Sequence, residues 1–317
     1  MTQRSADPVP IPSEPAPGPS AVGRPRRALL MVNPGARRGA EGIAAAQERL
    51  TAAGIAVLAE TFTGPDEIVA DILRRAGEAD AVVVCGGDGT LMRALPAILE
   101  CGLPLGVLPL GTANDLARTL GIPDDLEAAA DVIVAGAMRR IDIGSVNGHP
   151  FFNVASIGLS VDLARSLTPE VKRRWGRLGY AMTAMRVLAR ARRFSALISE
   201  GGETTRVRSL QIAVGNGRHY GGGNVVEETA AIDDGHLDLY SLEMRDVWRL
   251  ALGLRSFRSG MHGAWTDVRT ARGVEFEIVT RSPREVNADG EIVTRTPAQF
   301  RVHPDAVRVF APEPPEV

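Results

Sequence analysis

An apolar run, Ala81-Val82-Val83-Val84-Cys85, empties into Gly86-Gly87-Asp88-Gly89-Thr90, and a helix-like stretch follows from Leu91 to Leu99. A buried strand, a glycine turn and a helix start, in that order, constrain the chain to an α/β layer with an anion-holding junction. Glycines let backbone N–H groups approach a phosphate, and the helix end adds partial positive charge. Asp88 does not suit simple anion storage. A carboxylate in a phosphate loop repels phosphate unless it holds a metal, orients a group or moves a proton. The turn therefore reads as an element of phosphoryl transfer.

The segments around it repeat the same logic. Ala28 to Val32 reads as a strand, Glu41 to Ala53 as a helix stopped by Gly54, and Ile55 to Ala59 as a second strand. Asp66 to Ala76 reads as a helix and Leu105 to Leu108 as a fourth strand, with a helix from Asn114. Strands alternating with helices predict a parallel sheet covered on both faces, with phosphate-holding loops at its C-terminal strand ends. Near Arg139 the rhythm changes. Short runs at Arg140–Val146, Phe151–Ser156, Phe194–Ser199, Arg206–Val214, Leu237–Leu242, Val274–Val279 and Phe300–Val309 lie between turn residues, as in an antiparallel domain. Helical inserts are expected near Gly176–Arg192 and Asp246–Gly260.

Composition narrows the class. The 317 residues suffice for one large core or two ordinary ones, and a formal net charge of −2 does not predict a nucleic-acid partner. The two cysteines, Cys85 and Cys101, form no zinc spacing or disulfide framework, which fits a reducing cytosol. The proline-dense first 26 residues read as a disordered tail rather than a signal peptide. No apolar stretch approaches the ~20 residues that cross a bilayer, so any membrane contact is expected to be peripheral.

A second phosphate element, Gly111-Thr112-Ala113-Asn114-Asp115-Leu116-Ala117-Arg118, follows a strand and opens a helix. Thr112 can donate a hydroxyl, and Asn114 or Asp115 can cap the helix. A third loop, Asn33-Pro34-Gly35-Ala36-Arg37-Arg38-Gly39, ends the first strand; its arginines could neutralise phosphate or be a solvated charge run.

Together with Pro109-Leu110, these motifs resemble the diacylglycerol kinase catalytic domain, most closely its bacterial branch related to YegS. Gly215-Asn216-Gly217-Arg218, Gly221-Gly222-Gly223, Asp233-Asp234-Gly235 and Asp289-Gly290-Glu291 continue the resemblance in order, over roughly Arg27 to Pro312. The first motif alone is shared with NAD and sphingosine kinases; the series discriminates better. The resemblance implies an α/β N-terminal domain with a parallel sheet and a mostly antiparallel, β-rich C-terminal domain. The expected units are a tail at 1–26, a nucleotide-binding domain at 27–138, a lipid-substrate domain at 139–312 whose last segment is open to a return into the first, and a tail at 313–317.

The implied cofactors are ATP and magnesium. Nucleotide contacts are implied at Asn33, Pro34, Gly35, Ala36 and Arg37, at Thr61 (Thr63 as a substitute), along Gly86, Gly87, Asp88, Gly89, Thr90, Leu91, Met92 and Arg93, and at Gly111, Thr112, Asn114 and Asp115. The family commonly has Ser-Gly and Lys in the first loop, where this chain reads Gly35-Ala36-Arg37-Arg38. The implied base is Glu291, grouped with Asp88 and Asp289 as catalytic. Phosphoryl transfer to a hydroxyl needs an acceptor for the alcohol proton and a cation among the phosphate oxygens. A structural magnesium is implied at the Asp234 carboxylate with the carbonyls of Ala231 and His236, hard oxygens that suit this ion. Each of these turns also reads as an ordinary hairpin by itself.

Lys172 to Arg193 carries eight basic residues: Lys172, Arg173, Arg174, Arg177, Arg186, Arg190, Arg192 and Arg193. It reads equally as a basic amphipathic helix lying on an anionic bilayer and as a packed helix with a solvated face. The resulting expectation is an ATP- and magnesium-dependent lipid kinase, diacylglycerol leading as substrate. It would be cytoplasmic and peripheral at the inner membrane face, without nucleic acid and with a homodimer left open. Rivals are an NAD kinase and a catalytically silent nucleotide or membrane sensor.

Overall fold

A computed structural model describes residues 23–33, 40–62, 64, 67–166, 187, 191–216, 219–220, 224–225, 231–244 and 268–313. The first half runs β1 (Arg27–Val32), α1 (Ala40–Ala52), β2 (Ala56–Thr61), α2 (Ile68–Arg75), a 3-10 turn (Ala76–Glu78), β3 (Ala81–Gly86), α3 (Asp88–Cys101), β4 (Leu105–Pro109), α4 (Asp115–Leu120) and α5 (Leu126–Ala135). The second half begins with β5 (Met138–Val146), β6 (His149–Phe151), β7 (Val154–Gly158), α6 (Leu159–Ser166), β8 (Phe194–Glu200), β9 (Glu203–Ser209) and β10 (Gln211–Gly215). It continues with β11 (His219–Tyr220), β12 (Asn224–Val225), β13 (Leu237–Leu242), β14 (Val268–Gly273), β15 (Glu275–Thr280), β16 (Glu285–Ala288), β17 (Glu291–Arg295) and β18 (Ala298–Phe310).

β3 is central and wholly buried, as its run of β-branched valines requires. It pairs in parallel with β1 and β4, and β1 pairs in parallel with β2. Beyond β4 the sheet continues through β18, β15, β8 and β9, with β5 and β6 attached, to ten strands. A second sheet of six strands is antiparallel throughout, in the order β14-β13-β10-β7-β16-β17. The predicted pairing of a parallel α/β half with an antiparallel β half is thus what forms.

Two cores follow from this layering. One lies between the parallel strands and helices, around Leu29, Val83, Leu95 and Ile133. The other lies between the two sheets, around Ile157, Ile212, Phe276 and Phe300. Each fully buried side chain of this size contributes about 1.5–3 kcal/mol. Two elements serve both cores. Leu91 and Met92 of α3 enter different ones, and β18 supplies Phe300 to the second and Val309 and Phe310 to the first.

Several boundaries differ from the sequence reading for physical reasons. α3 begins at Asp88, not Leu91, because Gly87 is extended (φ −98°, ψ −175°) and the chain turns helical at once. An acidic residue in that first turn is favoured by the helix dipole. α5 and α6 were not expected. α5 is nonetheless well signalled: the Asp125 side chain accepts the Ala128 N–H at 2.9 Å, and Gly136 ends it at φ 74°. The runs Phe151–Ser156 and Arg206–Val214 each split in two. Their halves belong to different sheets, with Phe152 and Leu210 buried at the two crossings. The inserts predicted near 176–192 and 246–260 lie outside the described residues except Val187, Ala191 and Arg192.

Candidate active site

The parallel strands deliver their C-terminal ends to one edge. Val32 stands level with Thr61 and with Cys85, and Gly86 with Pro109. Asn33, Thr61 and both glycine loops therefore share this edge, on either side of the point where strand order reverses. Asn33 donates its backbone N–H to Cys85 O (3.2 Å) and its side-chain amide to Thr90 Oγ1 (2.8 Å). Thr61 and Thr112 are exposed.

The two glycine loops touch. Leu110 N–H donates to Gly86 O at 2.9 Å. A Cβ on Gly87 would lie 2.9 Å from Gly111 Cα, and one on Gly111 would lie 2.8 Å from Gly87 Cα. Neither position can carry a side chain without separating the loops. Gly87 also offers α3 no side-chain cap, leaving the first N–H groups of the helix for another acceptor.

Asp88 reaches across to the second loop, where its Oδ1 accepts the Leu116 N–H at 3.4 Å, at the start of α4. It therefore caps that helix, a role the sequence suggested for Asn114 or Asp115. Asn114 is instead left-handed (φ 49°), and its Oδ1 accepts the Gly111 N–H at 2.8 Å. Burial pushes the Asp88 carboxyl above its ordinary range, and the nearby Asp115 charge pushes further. Asp115 is itself buried. Leu91 and Met92, also in the implied nucleotide set, have side chains buried in the two cores, so any contact they make would be through the backbone.

The third motif arrives from the antiparallel half. β16 and β17 join through Asp289 (φ 43°) and Gly290 (φ 97°), a two-residue hairpin needing positive φ at both positions. The Asp289 carboxylate accepts N–H groups from Phe152 (2.7 Å), Asn153 (3.1 Å) and Val154 (3.0 Å). Burial outweighs these bonds and, with a contribution from the Asp88 charge, pushes its pKa up to about 6. Glu291 follows, and its Oε1 meets Arg93 Nη2 of α3 at 2.7 Å. Asp88, Asp115, Asp289, Glu291 and Arg93 are thus drawn together from both halves of the chain.

The Asp233-Asp234 turn is a second charged centre. Asp234 accepts N–H groups from Ala231 (3.1 Å) and His236 (3.0 Å) and pairs with Arg272 (2.8 Å). Asp233 pairs with Arg139 at 2.6 Å. Asp142 lies beneath, accepting the N–H groups of Gly235 (2.6 Å) and Asp305 (2.9 Å). Burial raises its pKa, helped by the Asp234 and Asp305 charges. The carboxylates of Asp142, Asp233, Asp234, Asp238 and Asp305 outnumber the Arg139 and Arg272 guanidiniums here, and hard oxygens are the donor type the implied magnesium would need. Among the described residues no three acidic, His or Cys side chains converge on one metal position. A single Asp234 carboxylate with the carbonyls of Ala231 and His236 remains consistent with that.

Asp142 was missed by the sequence reading. Its signal was a carboxylate between two isoleucines of a strand, Ile141-Asp142-Ile143. Pro34, Gly35, Ala36, Arg37 and Arg38 lie outside the described residues, as do Thr63, Gly217-Arg218, Gly221-Gly222-Gly223 and most of the basic insert.

A family model described as "Diacylglycerol kinase catalytic domain" matches residues 27–146, and one described as "YegS C-terminal NAD kinase beta sandwich-like domain" matches residues 153–311. A Pseudomonas aeruginosa protein named "Probable lipid kinase YegS-like" is 32% identical over 288 residues, covering 90% of this chain and 94% of its own. A Staphylococcus saprophyticus protein named "Diacylglycerol kinase" is 27% identical over 260 residues, covering 80% of this chain and 85% of its own. A Bacillus anthracis structure described as "a putative diacylglycerol kinase" has a TM-score of 0.78 at 25% identity, covering 93% of this chain and 98% of its own.

Proposed function

This chain belongs to the diacylglycerol kinase catalytic-domain family, in its YegS-like branch of lipid kinases, and from that premise we propose that it transfers the γ-phosphoryl group of magnesium-bound ATP to the free hydroxyl of diacylglycerol. One observation carries the reading. Two glycine loops lie back to back at the sheet edge, and a hairpin from the other half sets Glu291 against α3.

Each residue takes, in this proposal, a role that its position supports. Gly86 to Thr90 and Gly111 to Asn114 bring backbone N–H groups and the α3 N-terminus to the phosphates. Asn33, Thr61 and Thr112 line the same edge. Asp88 and Asp115 lie where the metal–phosphate charge would be met. Glu291 takes the acceptor's proton as its oxygen bonds to the γ-phosphorus and the bond to ADP breaks. Asp289 positions the hairpin, since its carboxylate is committed to three backbone N–H groups. At the distant turn, Asp234 with the Ala231 and His236 carbonyls would hold a structural magnesium, which would neutralise the carboxylates there.

No helix among the described residues is long and apolar enough to cross a membrane. The proposed acceptor is nevertheless a membrane lipid, so the reaction takes place at a bilayer surface, here read as the inner face of the cytoplasmic membrane. Labelled ATP offered with diacylglycerol, other lipid alcohols and NAD tests the proposal. Label in phosphatidic acid is the expected result. Label in NAD makes the chain an NAD kinase, and no transfer makes it a binding protein.

A further inference from the structure

Arg93 and Glu291 hold each other at 2.7 Å although 198 positions separate them. Neither is forced into the contact: their side chains are 42% and 38% exposed. An ion pair this exposed is weak and easily exchanged. Arg93 stands on α3, within the second turn from the uncapped N-terminus that receives anions. A nucleotide's phosphates carry more charge and more acceptor oxygens than one carboxylate, and a guanidinium binds them in a fork. Glu291 Oε1, meanwhile, is held toward α3 by this guanidinium and must leave it to turn to an acceptor hydroxyl.

We propose that Arg93 is a positioning residue that exchanges partners: it holds Glu291 while no nucleotide is bound, and moves to the phosphates when nucleotide arrives, releasing Glu291 to the acceptor hydroxyl. The inference rests on the kinase reading above. It leaves the enzyme without nucleotide with Glu291 engaged by Arg93.

The exchange predicts that Glu291 competes with nucleotide for Arg93. The test is equilibrium titration of a non-hydrolysable ATP analogue, with phosphate-free adenosine as control. It uses the full chain and its Glu291→Gln, Arg93→Gln and doubly substituted forms. Glu291→Gln should tighten the analogue roughly three- to fivefold, the upper range for an exposed pair, and leave adenosine unchanged. Arg93→Gln should weaken the analogue, and in its background Glu291→Gln should bring no gain. An unchanged affinity in Glu291→Gln overturns the exchange while leaving the kinase reading intact. So does a gain that persists without Arg93, because general charge repulsion then explains it. Failure of the unmodified chain to bind the analogue removes the kinase reading and the exchange together.

Discussion

Gly87 and Gly111 meet backbone to backbone, so the two loops that begin α3 and α4 form one surface rather than two. Gly111→Ala would place a methyl group 2.8 Å from Gly87 Cα and 2.5 Å from Asn114 Oδ1. Overpacking of this kind costs about 1–3 kcal/mol. The expected outcome is a lower melting temperature together with weaker ATP binding. Gly89→Ala is the control, since nothing lies within 4 Å of its added Cβ. It should melt normally, and under the proposed function it should bind ATP less well, because its methyl group enters the open space beside the glycine loop. Normal ATP binding by both variants would move the phosphates elsewhere.

Glu291→Gln should fold and bind ATP but lose lipid phosphorylation by about 10²–10⁴-fold, the usual worth of a positioned base. The residue is half-exposed, so the substitution leaves no buried group unpaired. Turnover assays with saturating ATP and lipid decide it. Near-normal turnover would assign the proton to another group.

Asp88→Asn should separate stability from activity. Burial raises the folded-state pKa of Asp88, so its favourable contribution to stability is present in acid and lost as pH rises through that value. At neutral pH the ionised group is a liability, and asparagine retains one oxygen for the Leu116 N–H. The variant should melt no lower than the parent at pH 7.5, while its rate and magnesium dependence fall together. A variant that loses stability but keeps its specific activity would make Asp88 a turn residue only.

Asp289 gives a pH signature of its own. Its pKa of about 6 lies above the ordinary carboxylate value, so the stability it contributes is complete in acid and declines as pH rises through about 6. Asp289→Asn should destabilise at every pH, because one amide oxygen cannot serve three N–H donors. Its deficit relative to the parent should narrow as pH rises from about 4 through about 6, between the ordinary and the raised value, and stay constant above that. Denaturant unfolding at several pH values measures this, and a constant deficit would show that Asp289 does not titrate there.

Magnesium alone, without nucleotide, should raise the melting temperature, since a cation bound only to the folded chain stabilises it by mass action. Asp234→Asn should abolish that rise. Chelator should lower the parent's melting temperature to the same extent. A shift that survives Asp234→Asn would place the cation elsewhere, and no shift in the parent would show that Arg139 and Arg272 already neutralise the turn.

What the sequence revealed was mostly local. The valine strand and the two glycine loops were legible because apolar runs and φ-permissive residues write their structure within ten positions. The partners of Asp88 were not legible, since its contact with Leu116 crosses between loops. Arg93 and Glu291 are on separate motifs, and nothing in either announces the other. Asp142 was hidden by being ordinary, one polar residue in an alternating strand. The split of Arg206–Val214 was invisible because no turn residue separates the mostly exposed β9 from the buried β10.

β18 carries a consequence for how the chain is made. It runs antiparallel to β5 along most of its length, and near its end Val309 sits level with Leu105 of β4 in parallel. It emerges from the ribosome after every other strand, yet it covers the flank of β4 and supplies aromatic side chains to the sandwich. The ten-stranded sheet that both halves share therefore cannot be completed before β18 has been made. A fragment ending near residue 138 would present the bare edge of β4 to solvent, an invitation to pair with another chain. Dividing this protein into separately expressed lobes would require β18 to travel with both.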